Sequence, residues 1–87
     1  MLIMDIITWE SGEAQAVIKR RVEEKIPEGV KVIGEWVSIA GCRAYRLVDV
    51  ADPKVLFAMT SAWVGLGKKE LVPVMEVEEM MKMMQGM

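Results

Sequence analysis

Two β-rich runs, Val30–Ile39 and Cys42–Val50, are separated only by Ala40-Gly41. A connection that short joins strands as an antiparallel hairpin. With the turn centred on those two residues, Trp36 faces Tyr45 and Gly34 faces Leu47 on one side of the sheet. Glu35 faces Arg46, Val37 faces Ala44 and Ile33 faces Val48 on the other. One register thus pairs two aromatic rings and two opposite charges at once.

The flanking segments extend this hairpin into a whole domain. Leu2–Trp9 reads LIMDIITW, apolar on both alternation faces, which predicts a strand buried on two sides. Ser11 is placed to cap a helix, with Glu13 in its first turn. Ala14, Val17, Ile18, Val22 and Ile26 form its inner stripe, and Pro27-Glu28-Gly29 closes it. Asp52-Pro53 opens a second helix with inner residues Leu56, Met59, Thr60 and Trp63, and Gly65 and Gly67 end it. Leu71–Val77 is a fourth strand, confined to a sheet edge by Pro73. A short methionine-rich helix follows at 78–85. The order β-α-β-β-α-β predicts a single ferredoxin-like α+β domain over residues 1–87. It is an antiparallel four-stranded sheet with both helices on one face, strands one and three central, and two and four at the edges.

A domain of 87 residues buries only about 60% of its unfolded surface and needs outside support. The single cysteine, Cys42, excludes an internal disulfide and suits a reducing, cytoplasmic setting. The absence of histidine removes the commonest metal ligand and acid–base group. Oligomerisation is the support that remains. Hydrophobic residues make up 53% of the chain, more than one small core hides. With both helices on one face, a bare sheet face of about 440 Å² is left, larger than soluble monomers usually expose. That face is expected to carry Ile3, Asp5, Ile7 and Trp9 with Ile33, Val37, Ala44 and Val48. A second copy related by a two-fold axis is the expected cover, giving a homodimer. The net charge of −2 and scattered lysines and arginines point away from nucleic acid. Met1–Met4 stops at Asp5 with no basic flank, so neither a signal peptide nor a membrane span is expected.

TWE at 8–10, IPEGVKVIGEW at 26–36, RLVDVADPKVLFAMTSAW at 46–63 and PVMEVEE at 73–79 give the chain a further likeness. It resembles a small uncharacterised prokaryotic family, a domain of unknown function in the dimeric α/β-barrel, ferredoxin-like superfamily. The resemblance covers nearly the whole chain and implies the fold and the dimer. It carries over no catalytic residue. The superfamily also includes cofactor-free monooxygenases, haem-degrading enzymes and stress-response barrels, so fold alone does not select a function.

Four groups of residues are candidates for chemistry. Trp36, Tyr45 and Trp63 are expected between sheet and helices, where they line an apolar pocket with N–H and O–H handles or serve as plain core. Glu35 with Arg46 orients a polar ligand or fixes the subunit register. Met80, Met83, Met84 and Met87 share a helix side. They suit Cu(I) or, more simply, a deformable contact that builds a higher oligomer. Cys42 lacks a base to activate it and reads as a small hairpin residue. Asp5, Glu10 and Glu35 are carboxylates with no spacing that selects one as a base. No cofactor or metal is implied, and an axial-histidine haem site is excluded. The chain thus reads as a non-catalytic small-molecule binding or assembly module, taking a small apolar ligand. The alternative is a cofactor-independent oxygenase or isomerase acting on an apolar aromatic substrate.

Overall fold

A computed structural model describes residues 1–86. Strand β1 (Leu2–Thr8) leads through a 3-10 turn (Ser11–Glu13) into α1 (Ala14–Glu23). The hairpin strands β2 (Val30–Val37) and β3 (Arg43–Val50) follow, then α2 (Val55–Ser61), β4 (Lys68–Val74) and α3 (Val77–Gln85). The sheet order is β2-β3-β1-β4 with every neighbour antiparallel, so β1 and β3 are central as expected. The fold is α+β, one open four-stranded sheet with three helices. Pro73 lies on the edge strand β4, where a missing N–H leaves no partner wanting.

The hairpin has the expected pairs Trp36 with Tyr45, Glu35 with Arg46, Gly34 with Leu47 and Val37 with Ala44. The loop Ile39–Cys42 closes it through Ser38 N–H donating to Arg43 O at 2.8 Å. Beyond Gly34 the expected pairing of Ile33 with Val48 gives way to Val32 with Val48, because a bulge falls between Val32 and Gly34. The bulge returns Val30 and Val32 to the face that carries Glu35 and Val37.

The two faces of the sheet are the reverse of the expected ones. Ile3, Val48 and Val50 pack with Met59 of α2, joined by Val30, Val32, Val55, Leu56 and Leu71. Val17 of α1 packs with Trp63 and Leu66, joined by Ile7 and Trp9. The covered face is therefore the one that holds Ile3, Asp5, Ile7, Ala44, Arg46 and Val48. The open face carries Leu2, Met4, Ile6, Tyr45, Leu47 and Val72, none of which belongs to either cluster. The physical reason is charge. Asp5 and Arg46 sit mid-strand on the covered face and find their partners in each other, in Glu24 at the end of α1 and in Lys69 of β4.

Local details differ as well. Glu10, not Ser11, precedes the first turn, and its N–H donates to Glu13 Oε1 at 3.0 Å, half of a capping box. In α1 only Val17 is buried, while Ile18 and Val22 are 62% and 78% exposed. Arg20 of α1 donates to Ala62 O and Val64 O at 3.3 Å, satisfying carbonyls at the end of α2 that its own turns leave free. Strand β4 runs earlier than expected, at Lys68–Val74 rather than Leu71–Val77. Every residue of α3 is exposed. The radius of gyration of 14.7 Å exceeds the ~12 Å expected for a chain of this length, consistent with an unburied α3.

Gly67 holds the entry to β4. Its φ is +66°, and a Cβ there would lie 2.8 Å from Thr8 O and 3.3 Å from Ile7. Gly67→Ala is expected to cost about 2 kcal/mol in urea unfolding, from left-handed strain plus the backbone clash. Gly12→Ala, where nothing lies within 4 Å of the new Cβ, is expected to be neutral or slightly stabilising.

Candidate functional site

The site begins as a row across the sheet. Glu35 on β2, Arg46 on β3, Asp5 on β1 and Leu71 on β4 are consecutive cross-strand partners. Their side chains share the helix-covered face, so three charged groups come together where α1 ends. A buried charge is tolerated only when paired and hydrogen-bonded, and the surrounding elements supply the pairs.

Arg46 is 6% exposed. Its Nη1 donates to Glu24 Oε1 at 2.7 Å, and its Nη2 donates to Asp5 Oδ2 at 2.9 Å and Glu24 Oε2 at 3.2 Å. Glu24 is the residue at which α1 turns from helical to extended backbone, which aims its carboxylate back over the sheet. The Trp63 indole N–H, from the turn after α2, donates to the same Glu24 Oε2 at 3.0 Å. Lys69 of β4 completes the group. Its Nζ lies 3.3 Å from Asp5 Oδ2, donates to Met59 O at 3.4 Å, and sits 5.1 Å from the Trp63 ring centroid. One guanidinium thus joins β1, β3 and the end of α1, and Lys69 and Trp63 bring in β4 and the α2 side.

Electrostatics follow from this packing. Burial pushes the Glu24 carboxyl up, but hydrogen bonds from Arg46 and Trp63 outweigh it and hold the group below the usual carboxylate range. The Arg21 guanidinium, hydrogen-bonded to Glu35, lowers the Glu35 carboxyl. Burial lowers the Lys69 ammonium, opposed by the attraction of Asp5. The carboxylates of Glu24 and Glu35 are thereby poor proton acceptors near neutral pH.

The expected residue groups are distributed differently. Glu35 and Arg46 are cross-strand neighbours, yet Glu35 bonds Arg21 of α1, with Arg21 Nε donating to Glu35 Oε2 at 2.9 Å, and Arg46 bonds Asp5 and Glu24. Trp63 is buried with the cluster on the covered face, whereas Trp36, 55% exposed, follows the open-face alternation with Tyr45. The Trp36 ring lies over Gly34, where a Cβ would come within 2.6 Å of it. Cys42 is a free thiol in the hairpin loop with φ +61°. Met80, Met83 and Met84 are exposed on α3, and Met87 lies outside the described residues. Among the described residues no group of three His, Cys, Asp or Glu side chains is arranged to hold a metal ion. No helix among them is long and apolar enough to cross a membrane.

Two spaces adjoin the cluster. An inner cavity of about 80 Å³ has an apolar wall of Ile7, Val17, Ala44 and Trp63 and a polar side of Asp5, Arg46 and Lys69. A wider outer groove of about 410 Å³ runs along Trp9, Ile18, Val22, Trp36 and Val37. Val17, Ala44 and the ion-paired Arg21 and Glu35 border both. A closed space of about 150 Å³ is what a benzene ring occupies in an engineered protein cavity. The inner cavity alone is too small for a ring, and the groove is not.

Glu24 sets a pH dependence. Its folded-state pKa lies below the ordinary 4.5, so the stabilisation is fully present above about 4.5 and disappears as pH falls through the lowered value. Glu24→Gln should therefore lose on the order of 1–2 kcal/mol at neutral pH. The difference from wild type should shrink below pH 4.5, read from urea midpoints across pH.

The family described as a domain of unknown function, DUF3303, matches residues 1–87, and the chain belongs to that family. No curated protein and no solved structure matches the chain.

Proposed function

We propose that this member of the family is a homodimeric, non-catalytic binding module that holds a small apolar molecule in the groove between α1 and the β2 edge. The observation that supports the reading is the outer groove itself. Trp9, Ile18, Val22, Trp36 and Val37 stand around about 410 Å³ of space, a volume in the range of small-molecule sites. Ile18, Val22, Trp36 and Val37 are each at least half exposed, which a helix packed only for stability would avoid.

The open sheet face supports the dimer. Leu2, Met4, Ile6, Tyr45, Leu47 and Val72 form an apolar surface across the paired strands. Two such faces of about 440 Å² give about 900 Å², short of the ~1,200 Å² of the smaller stable interfaces. Helix α3 follows β4 and carries exposed Met80, Met81, Met83 and Met84, deformable side chains available to extend the buried area in a dimer. Two sheets joined face to face with helices outside make a dimeric α/β barrel. The competing reading, a cofactor-independent oxygenase or isomerase, needs a base poised to take a proton. The pKa directions of Glu24 and Glu35 oppose those two carboxylates in that role, and Lys69, lowered by burial, is the group of the cluster shifted towards it.

Sedimentation should find wild type dimeric at micromolar concentration and Leu47→Asp monomeric, with far-UV circular dichroism unchanged. An anilinonaphthalene dye should bind the wild-type dimer, and Val37→Asp, with its dimer face unchanged, roughly tenfold more weakly. A monomeric wild type contradicts the dimer, and equal dye binding by Val37→Asp contradicts the groove.

A further inference from the structure

The Arg46 Nε–H is buried and has no hydrogen-bond partner. Its two terminal nitrogens bond Asp5 and Glu24 through three of their four N–H groups, so Nε is the one guanidinium nitrogen with no acceptor. A buried donor without an acceptor is costly. Arg46 lines the inner cavity, whose other wall is apolar. We infer that the inner cavity is a subsite for a neutral hydrogen-bond acceptor, a carbonyl oxygen, at the head of a molecule whose apolar tail lies in the outer groove.

Three observations define the ligand. First, the charges around the cavity balance: Arg21, Arg46 and Lys69 against Asp5, Glu24 and Glu35. A carboxylate head would add an uncompensated buried charge, and an ammonium head offers no acceptor to Arg46. Second, about 80 Å³ accommodates a carbonyl with the first carbons of a chain and excludes a ring. Third, the inner cavity and the groove share Val17, Ala44, Arg21 and Glu35 as borders. A chain leaving the cavity past those residues meets Val22, Trp36 and Val37. The Arg21–Glu35 pair, with side chains about 40% exposed on both partners, stands at that boundary. The pair is bidentate, yet both side chains reach solvent, so water can take over its bonds while a chain passes. A straight-chain ketone, ester or amide meets all three conditions.

This inference rests on the proposal that the groove binds a small apolar molecule, and the experiment separates the two. Uniformly ¹⁵N-labelled protein is titrated with 2-octanone, octane and octanoate while the Arg46 Nε–Hε resonance is followed. The expected result is that 2-octanone moves that resonance and binds roughly tenfold more tightly than octane, with octanoate weaker than 2-octanone. Glu35→Gln, which leaves Arg21 unpaired, should shift the preference towards octanoate. If 2-octanone and octane bind equally and the Arg46 resonance stays still, the carbonyl subsite is overturned and the groove stands. Contact of the Arg46 Nε–H with water alone in the ketone-bound state overturns the subsite equally. If none of the three probes binds, both readings fall.

Discussion

A buried guanidinium decides how this sheet is dressed. Arg46 lies mid-strand on β3 directly opposite Asp5 on β1, and neither charge can stay inside without further partners. Glu24 at the end of α1 and Lys69 on β4 provide them. The ion-pair cluster therefore specifies which face of the sheet the helices cover, and it fixes where α1 must stop. Trp63 adds its indole hydrogen bond to Glu24 and its ring beneath Lys69. The aliphatic contacts around Ile3, Val48, Val50 and Met59 supply most of the burial, but such contacts are non-directional. The charges supply the alignment.

Most of the topology is legible in the sequence because it rests on local signals. The short Ala40-Gly41 link and the aromatic and charged pairs set the hairpin register through Gly34, and Pro73 puts β4 at an edge. The faces come out reversed for a specific reason. LIMDIIT is apolar at nearly every position, so hydrophobic alternation cannot tell inside from outside in β1. Its single charge, Asp5, could have done so, since a carboxylate mid-strand in a central position needs cationic partners. Gly34 likewise marks the bulge. Val30 and Val32 alternate in one phase, and Glu35 and Val37 in the other, which requires one extra residue between them.

The candidate site is only partly legible. Arg46 and Trp63 stand out in the sequence and lie in the cluster, but Glu24, Lys69 and Arg21 carry no sequence signal beyond ordinary helix-end and strand charges. Their roles arise from tertiary placement. The expectation that Glu35 pairs with Arg46 assumes that cross-strand neighbours bond each other. Here a closer helix residue, Arg21, captures Glu35, and Arg46 turns to deeper carboxylates. The same competition leaves the Arg46 Nε–H without an acceptor on a residue that lines a small cavity. Structural charge pairing and the proposed recognition of an acceptor thus come from a single residue. On the opposite side of the sheet, the apolar face built from Met4, Ile6, Tyr45 and Leu47 lies away from this cluster. The proposed dimer would join the molecules there without disturbing the charged interior.

Helix α1, the α2 side and the sheet are tied together at a buried, charge-paired Arg46. Hydrogen exchange of the Trp63 indole N–H tests this most directly, because that proton is donated to Glu24 inside the cluster. Strong protection is expected at neutral pH, and its loss is expected in Glu24→Ala, which removes the acceptor. Exchange as fast as that of a free indole in the folded wild-type protein would contradict a closed, charge-paired interior.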